Sequence, residues 1–189
     1  MIEQLDAEKI SPHRREALGM FFRLLSERKS EHILETGTLR KENNWHNDGG
    51  FTWLLARWAS LQNGRNINFH TVDHDPIAIE TSKRILRPLM RHVQHDCADS
   101  VQFLRHWAQP IDALILDSLD YLAGQEGQAQ AQNLDEALAA LPNLHAQSIV
   151  AIDDCKLAGG GKGALTIPYL QARGWRVICD DYVTVLTKL

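Results

Sequence analysis

The apolar and polar positions of this chain change period repeatedly. Over 11–28, Leu18, Phe21, Phe22 and Leu25 recur at helical spacing behind Ser11, a cap residue, and Pro12, a first-turn residue. The short run His32-Ile33-Leu34-Glu35 then reads as a buried strand. A polar stretch over 37–50 separates it from a helix expected over about 51–62, stopped at Gly64. Strand returns at 67–73, and Asp75-Pro76 opens a helix reaching about Arg87. The alternation goes on through strand 92–94, helix 100–107, strand 111–116, helix 134–141, strand 148–152 and helix 164–173. Two last apolar runs, 175–179 and 182–186, joined by Asp180-Asp181, predict a hairpin.

Strands alternating with helices predict an α/β architecture, a mostly parallel sheet covered on both faces, with the hairpin adding one antiparallel strand. The 189 residues suit a single domain: an N-terminal helical segment over 1–30 packed on a core over 31–189. Twenty Lys and Arg against 24 Asp and Glu give a net charge of −4, so no general basic field attracts nucleic acid, and none is expected as a partner. Cys97, Cys155 and Cys179 form no CxxC pair and are odd in number, which speaks against a disulfide framework or a zinc knuckle. With no basic, apolar leader and no run near the ~18 apolar residues of a membrane span, a cytoplasmic protein without membrane contact is expected.

Right-handed crossovers place a ligand beyond the carboxyl ends of the strands, so those ends carry the candidate chemistry. The first ends in Glu35-Thr36-Gly37-Thr38, where glycine lets backbone approach a ligand. The GxGxxG of a dinucleotide fold is missing, which disfavours a nicotinamide-dependent reductase. Asp73 ends the second strand, placed to accept hydrogen bonds from both hydroxyls of a ribose, since Asp75 is the better helix cap. Asp96 follows the third strand and suits either an adenine amino group or a helix cap. Asp117 ends the fourth strand, Asp153 and Asp154 the fifth. If those strands are neighbours about 4.8 Å apart, three carboxylates converge, and a hard cation such as Mg²⁺ or Mn²⁺ would relieve their repulsion.

Glu35-Thr36-Gly37-Thr38, Val72-Asp73, Asp96, Leu116-Asp117 and Ile152-Asp153-Asp154, in that order, resemble the motifs of class I S-adenosylmethionine-dependent methyltransferases. The later motifs resemble particularly the metal-dependent O-methyltransferases of the catechol and macrocin types. The resemblance runs from about His32 onward and implies a Rossmann-like three-layer sandwich with a seven-stranded sheet whose C-terminal strand is antiparallel. It implies that S-adenosylmethionine is the cofactor, with Glu35, Thr36, Gly37 and Thr38 near its methionine moiety, Asp73 on its ribose, Asp96 near its adenine and Asp117 at the edge of its site. It also implies that Asp117, Asp153 and Asp154 hold the metal, which would aim the oxygen of a small-molecule acceptor at the methyl group.

The chain departs from that pattern in places. Residues 39–48 interrupt the glycine turn, and Gly49-Gly50 resumes it; Trp45 and His46 either cover the site or belong to a surface loop. Asp120 stands where the catechol type has lysine and the macrocin type histidine, and suits a general base, a further ligand or a helix cap. Asp154 stands where the catechol type has asparagine. The run Ala158-Gly159-Gly160-Gly161-Lys162-Gly163 lacks the phosphate-loop spacing and reads as a flexible lid whose lysines are solvated or attract an anionic group. His70, His74, His92 and His95 show no zinc-type spacing. Trp53, Trp58, Phe103 and Trp107 are expected to face the sheet. A homodimer and a non-catalytic cofactor-binding role both stay open.

Overall fold

The computed structural model describes Leu5, residues 7–45 and residues 50–188; the readings placed on His46 and Gly49 lie outside them. The chain runs through α1 (Arg15–Glu27), β1 (His32–Thr36), α2 (Phe51–Ser60), β2 (Asn68–Asp73), α3 (Pro76–Ile85), β3 (Gln94–Cys97), α4 (Ser100–His106), β4 (Ile111–Leu116), α5 (Glu126–Ala140), β5 (Leu144–Ile152), α6 (Thr166–Gln171), β6 (Trp175–Asp180) and β7 (Thr184–Lys188). The strands form one sheet in the order β3-β2-β1-β4-β5-β7-β6, parallel except β7, which is antiparallel to both neighbours. This is the expected Rossmann-like sandwich.

Alternation along the buried strands explains the two apolar faces. Ile33, Ala113, Ile115, Ile149 and Ala151 point to one side, where Leu18, Phe21, Phe22 and Leu25 of α1 meet Leu54, Leu55 and Trp58 of α2. Leu34, Leu114, Leu116, Val150 and Ile152 point to the other, against Leu104 of α4, Ala137 and Ala140 of α5 and Leu170 of α6. Strands buried on both faces therefore read as unbroken apolar runs. The helix after β1 covers one face and the helix after β4 the other, so the β1–β4 junction is the switch point at which such sheets open a crevice. Of the four aromatics expected to face the sheet, Trp58 is fully buried, while Trp53, Phe103 and Trp107 are partly buried against the core.

Several boundaries differ from expectation for identifiable reasons. The helix expected from 134 begins at Glu126, because over 126–133 its buried face is only Ala129 and Asn133, which shows no apolar period. The third strand begins at Gln94, since 87–92 close into a 3₁₀ turn. Ser11 bonds the His13 ring instead of capping a helix, and α1 starts after the 3₁₀ turn Pro12–Arg14. Asp75 does cap α3, accepting from Ile77 N at 2.8 Å. Asp180 pairs with Thr184, so the hairpin link is Asp181, Tyr182 and Val183. No helix among the described residues is long and apolar enough to cross a membrane.

The polar seam in the α5 face is a fully buried carboxyl. Glu136 accepts from Thr36 Oγ1 (2.8 Å), Ser100 Oγ (2.5 Å) and Gln132 Nε2 (3.1 Å), tying α5 to β1 and α4. Burial pushes this carboxyl up from its ordinary range, while those donors pull the other way. Glu136→Ala should strand these donors and lower stability by about 3 kcal/mol, with Glu136→Gln losing less than half as much. Denaturant midpoints of the two variants check this.

Candidate active site

The crevice at the switch point is lined by Arg14, Gly37, Thr38, Arg40, Asp73, Asp117, Ser118, Asp120, Asp153, Asp154 and Lys162. Backbone bonds from Asp117 N to Thr36 O and from Asp153 N to Leu116 O, both 3.2 Å, carry the strand register past the ends of β1, β4 and β5. The turn after β1 is fixed from β2: Gly37 N donates to Val72 O, and Thr71 Oγ1 donates to Gly37 O, each at 2.8 Å. Gly37 has φ +83°, and a Cβ there would overlap the Asp117 carbonyl, so glycine is required for β1 and β4 to close on each other.

The motif residues divide by side of the sheet. Gly37 and Thr38 reach the crevice, whereas Thr36 turns to Glu136 on the opposite face. Glu35 is buried beneath the turn and does not line the crevice; its Oε2 lacks a hydrogen-bond partner, and burial raises its pKa well above the usual carboxylate range, against the Thr71 and Thr52 hydroxyls. Asp73 lines the crevice and spends Oδ1 on Asp75 N at 2.9 Å. Asp96 caps no helix, a task that Asp99 performs for α4; it accepts from His70 Nδ1 at 2.7 Å, and that ring lies edge-on to Trp107. Trp45 stacks near Trp53 at 5.3 Å, away from the crevice lining.

Asp117, Asp153 and Asp154 do converge, each offering an oxygen within 4.8 Å of the others, the one such group of possible ligands among the described residues. They are not unpaired anions. The Arg14 guanidinium grips Asp153 with Nε at 3.0 Å and Nη2 at 2.8 Å, and Nη2 stands 3.5 Å from Asp154. The Lys162 ammonium lies 2.9 Å from Asp117 and 3.0 Å from Asp154. Arg14 and Lys162 are each 3% exposed, and Asp153 is 1% exposed. The residues present thus do not fit a divalent cation, because protein cations hold the oxygens it would need.

These neighbours set the proton affinities. Burial, reinforced by Asp153 and Asp154, pushes Asp117 up to about 7 against the pull of Lys162. Burial acts the same way on Asp154, yet Lys162 and the Tyr182 hydroxyl outweigh it and hold Asp154 low. Asp120 is held low chiefly by its hydrogen bonds from Arg40, at 2.7 and 3.1 Å across the mouth of the crevice.

Lys162 corrects the reading of the glycine run as a flexible lid with solvated lysines. Gly159, Gly160 and Gly161 all take positive φ, and the strap is pinned by Tyr121 OH to Ala158 O and by Gln130 to the Gly159 and Gly161 carbonyls. Lys156 does lie at the surface, paired with Asp180. Sequence reasoning missed Arg14, Arg40 and Ser118. A single lysine inside a glycine run was a signal for Lys162, whereas nothing local marks Arg14.

No protein-family model matches the chain, and no curated protein matches it. Several solved structures described as methyltransferases share its fold. A Staphylococcus aureus protein described as a caffeoyl-CoA O-methyltransferase superposes with TM-score 0.64 at 14% identity, covering 98% of this chain and 88% of that one. An S-adenosylhomocysteine-bound methyltransferase from Podospora anserina gives 0.63 at 16%, covering 97% and 82%. An rRNA methylase from Streptococcus thermophilus gives 0.59 at 17%, covering 90% and 95%. The fold is that of the Rossmann-like methyltransferases.

Removing one partner of the buried pair tests how far the site depends on it. Arg14→Met should destabilise the protein by about 3–5 kcal/mol by leaving Asp153 buried without its cation. Arg14→Met combined with Asp153→Leu should recover most of that loss. Denaturation of both variants measures the coupling.

Proposed function

We propose that this chain transfers a methyl group from S-adenosylmethionine to an oxygen of a small-molecule acceptor. The observation that carries the reading is the crevice between β1 and β4, with Gly37, Thr38, Asp73 and Asp117 on its rim in a methyltransferase fold. That S-adenosylhomocysteine is bound in a neighbour of the same fold supports the choice of cofactor. When bound, the cofactor supplies a methyl group activated by a positively charged sulfur, which departs as a neutral thioether.

The chain's own residues bind and orient. Asp73 keeps Oδ2 for the ribose while Oδ1 holds the start of α3. Gly37 and Thr38 present backbone to the methionine moiety, and Asp96, steadied by His70, stands on the adenine side. Glu35 supports the turn from below. The crevice as it stands leaves a cavity of about 50 Å³, room for one or two waters, with Arg40 and Asp120 across the mouth. Both side chains of that pair are more than two-fifths exposed, so parting them to admit a ligand costs little.

Asp117, which lines the crevice beside Gly37 and the strand ends, receives the proton that the acceptor oxygen loses, while Arg40 engages both oxygens of Asp120. The acidic lining and the net charge of −4 favour a small acceptor over a phosphate backbone, although two neighbours are described as rRNA methylases.

Calorimetric titration with S-adenosylhomocysteine tests the reading. Binding should weaken at least tenfold in Asp73→Ala, about 1.4 kcal/mol. Asp75→Ala disturbs the same helix start outside the crevice and should keep the wild-type affinity. Absence of any binding heat in the wild-type chain would end the methyltransferase reading.

A further inference from the structure

Three carboxylates at neighbouring strand ends are a donor set that suits a hard divalent ion, which needs oxygens at about 2.0–2.6 Å. Here each of the three already receives hydrogen bonds from a cation that the fold delivers. Lys162 Nζ sits within 3.0 Å of both Asp117 and Asp154, and Arg14 occupies both oxygens of Asp153. Together the two side chains bring two positive charges, the same as one divalent ion. A metal entering beside them would meet both charges at close range and find few free oxygens.

The delivery of Lys162 is built into the backbone. Lys162 N donates to Asp154 O at 3.2 Å, and a Cβ on Gly161 would overlap that same carbonyl, so a glycine is required immediately before the lysine. Asp154 itself takes φ +55°, a left-handed conformation uncommon outside glycine, asparagine and aspartate, which turns the carbonyl toward the strap. A solvated lysine would need none of this. An ammonium has three hydrogens, and the two carboxylates take two, which leaves one for an oxygen entering the crevice that Lys162 lines.

We infer that Lys162 and Arg14 are the resident cations of the Asp117–Asp153–Asp154 cluster, and that this crevice works with protein-supplied charge in place of a divalent metal. The inference deepens the methyltransferase reading, on which its role in acceptor binding rests. The state of the cluster can be measured whether or not that reading holds.

The experiment is a calorimetric titration of the full chain with Mn²⁺ and with Mg²⁺, repeated on Lys162→Met, on Asp117→Asn and on the two combined. The wild-type chain should show no saturable binding in the millimolar range. Lys162→Met keeps the length of the stem, removes the charge, and should bind Mn²⁺ at least tenfold more tightly than wild type; Asp117→Asn should remove the gain. Saturable wild-type binding that is lost in Asp117→Asn alone would overturn the inference. So would a folded Lys162→Met with no gain. Should Lys162→Met fail to fold, the wild-type titration decides by itself. S-adenosylhomocysteine affinity, measured with and without EDTA, separates the two readings: its absence removes the methyltransferase proposal and leaves the metal result standing.

Discussion

Like charge crowded at a sheet edge is the constraint around which this molecule is arranged. Parallel pairing of β4 with β5 brings Asp117 beside Asp153 and Asp154, and the register leaves no freedom to separate them. Compensation comes from two directions. Arg14 arrives from ahead of α1 and forks onto Asp153, with its guanidinium 4.7 Å from the Tyr182 ring centroid; Lys162 arrives from the glycine strap after β5. The segment before the sheet and the loop before α6 are thereby fixed to the same point. Bidentate pairing is among the stronger forms of charge-assisted hydrogen bond, and burying either partner here without the other would be strongly destabilising.

A second polar centre crosses the sheet from the other face. Consecutive residues Glu35 and Thr36 point to opposite sides, one under the turn that shapes the crevice and the other to Glu136 on α5. The short β1 thus ties the floor of the crevice to the helix layer behind it. Gly37, pressed against the Asp117 carbonyl, completes the seam by holding β1 and β4 together where they part.

The fold was legible because strands buried on both faces write unbroken apolar runs and surface helices write a longer period. Ile111–Leu116 and the Asp75-Pro76 helix start could be placed almost to the residue. Legibility failed where a buried face is polar. The first half of α5 buries only Ala129 and Asn133, so it looked like solvated chain, although Asn133 is satisfied inside by Thr166. The acidic half of the site was equally readable, since strand ends mark their own positions. Its countercharges were not: an arginine 139 residues from its carboxylate leaves no local pattern, and a lysine in a glycine run has the look of a loop. The helical caps repeat the lesson, with Asp75 and Asp99 found by the backbone while Ser11 turned to a neighbouring ring.

The placing of β7 has a kinetic side. β5 acquires its outer neighbour only from the last strand of the chain, which turns back to lie between β5 and β6. Such non-local pairing must wait for loop closure before it is rewarded, which slows folding. Arg14 has to find Asp153 across a far longer span of 139 residues, and Tyr182, which flanks that guanidinium, lies in the turn leading into β7. A chain lacking the segment ahead of α1 would therefore present Asp153 buried without the guanidinium that neutralises it.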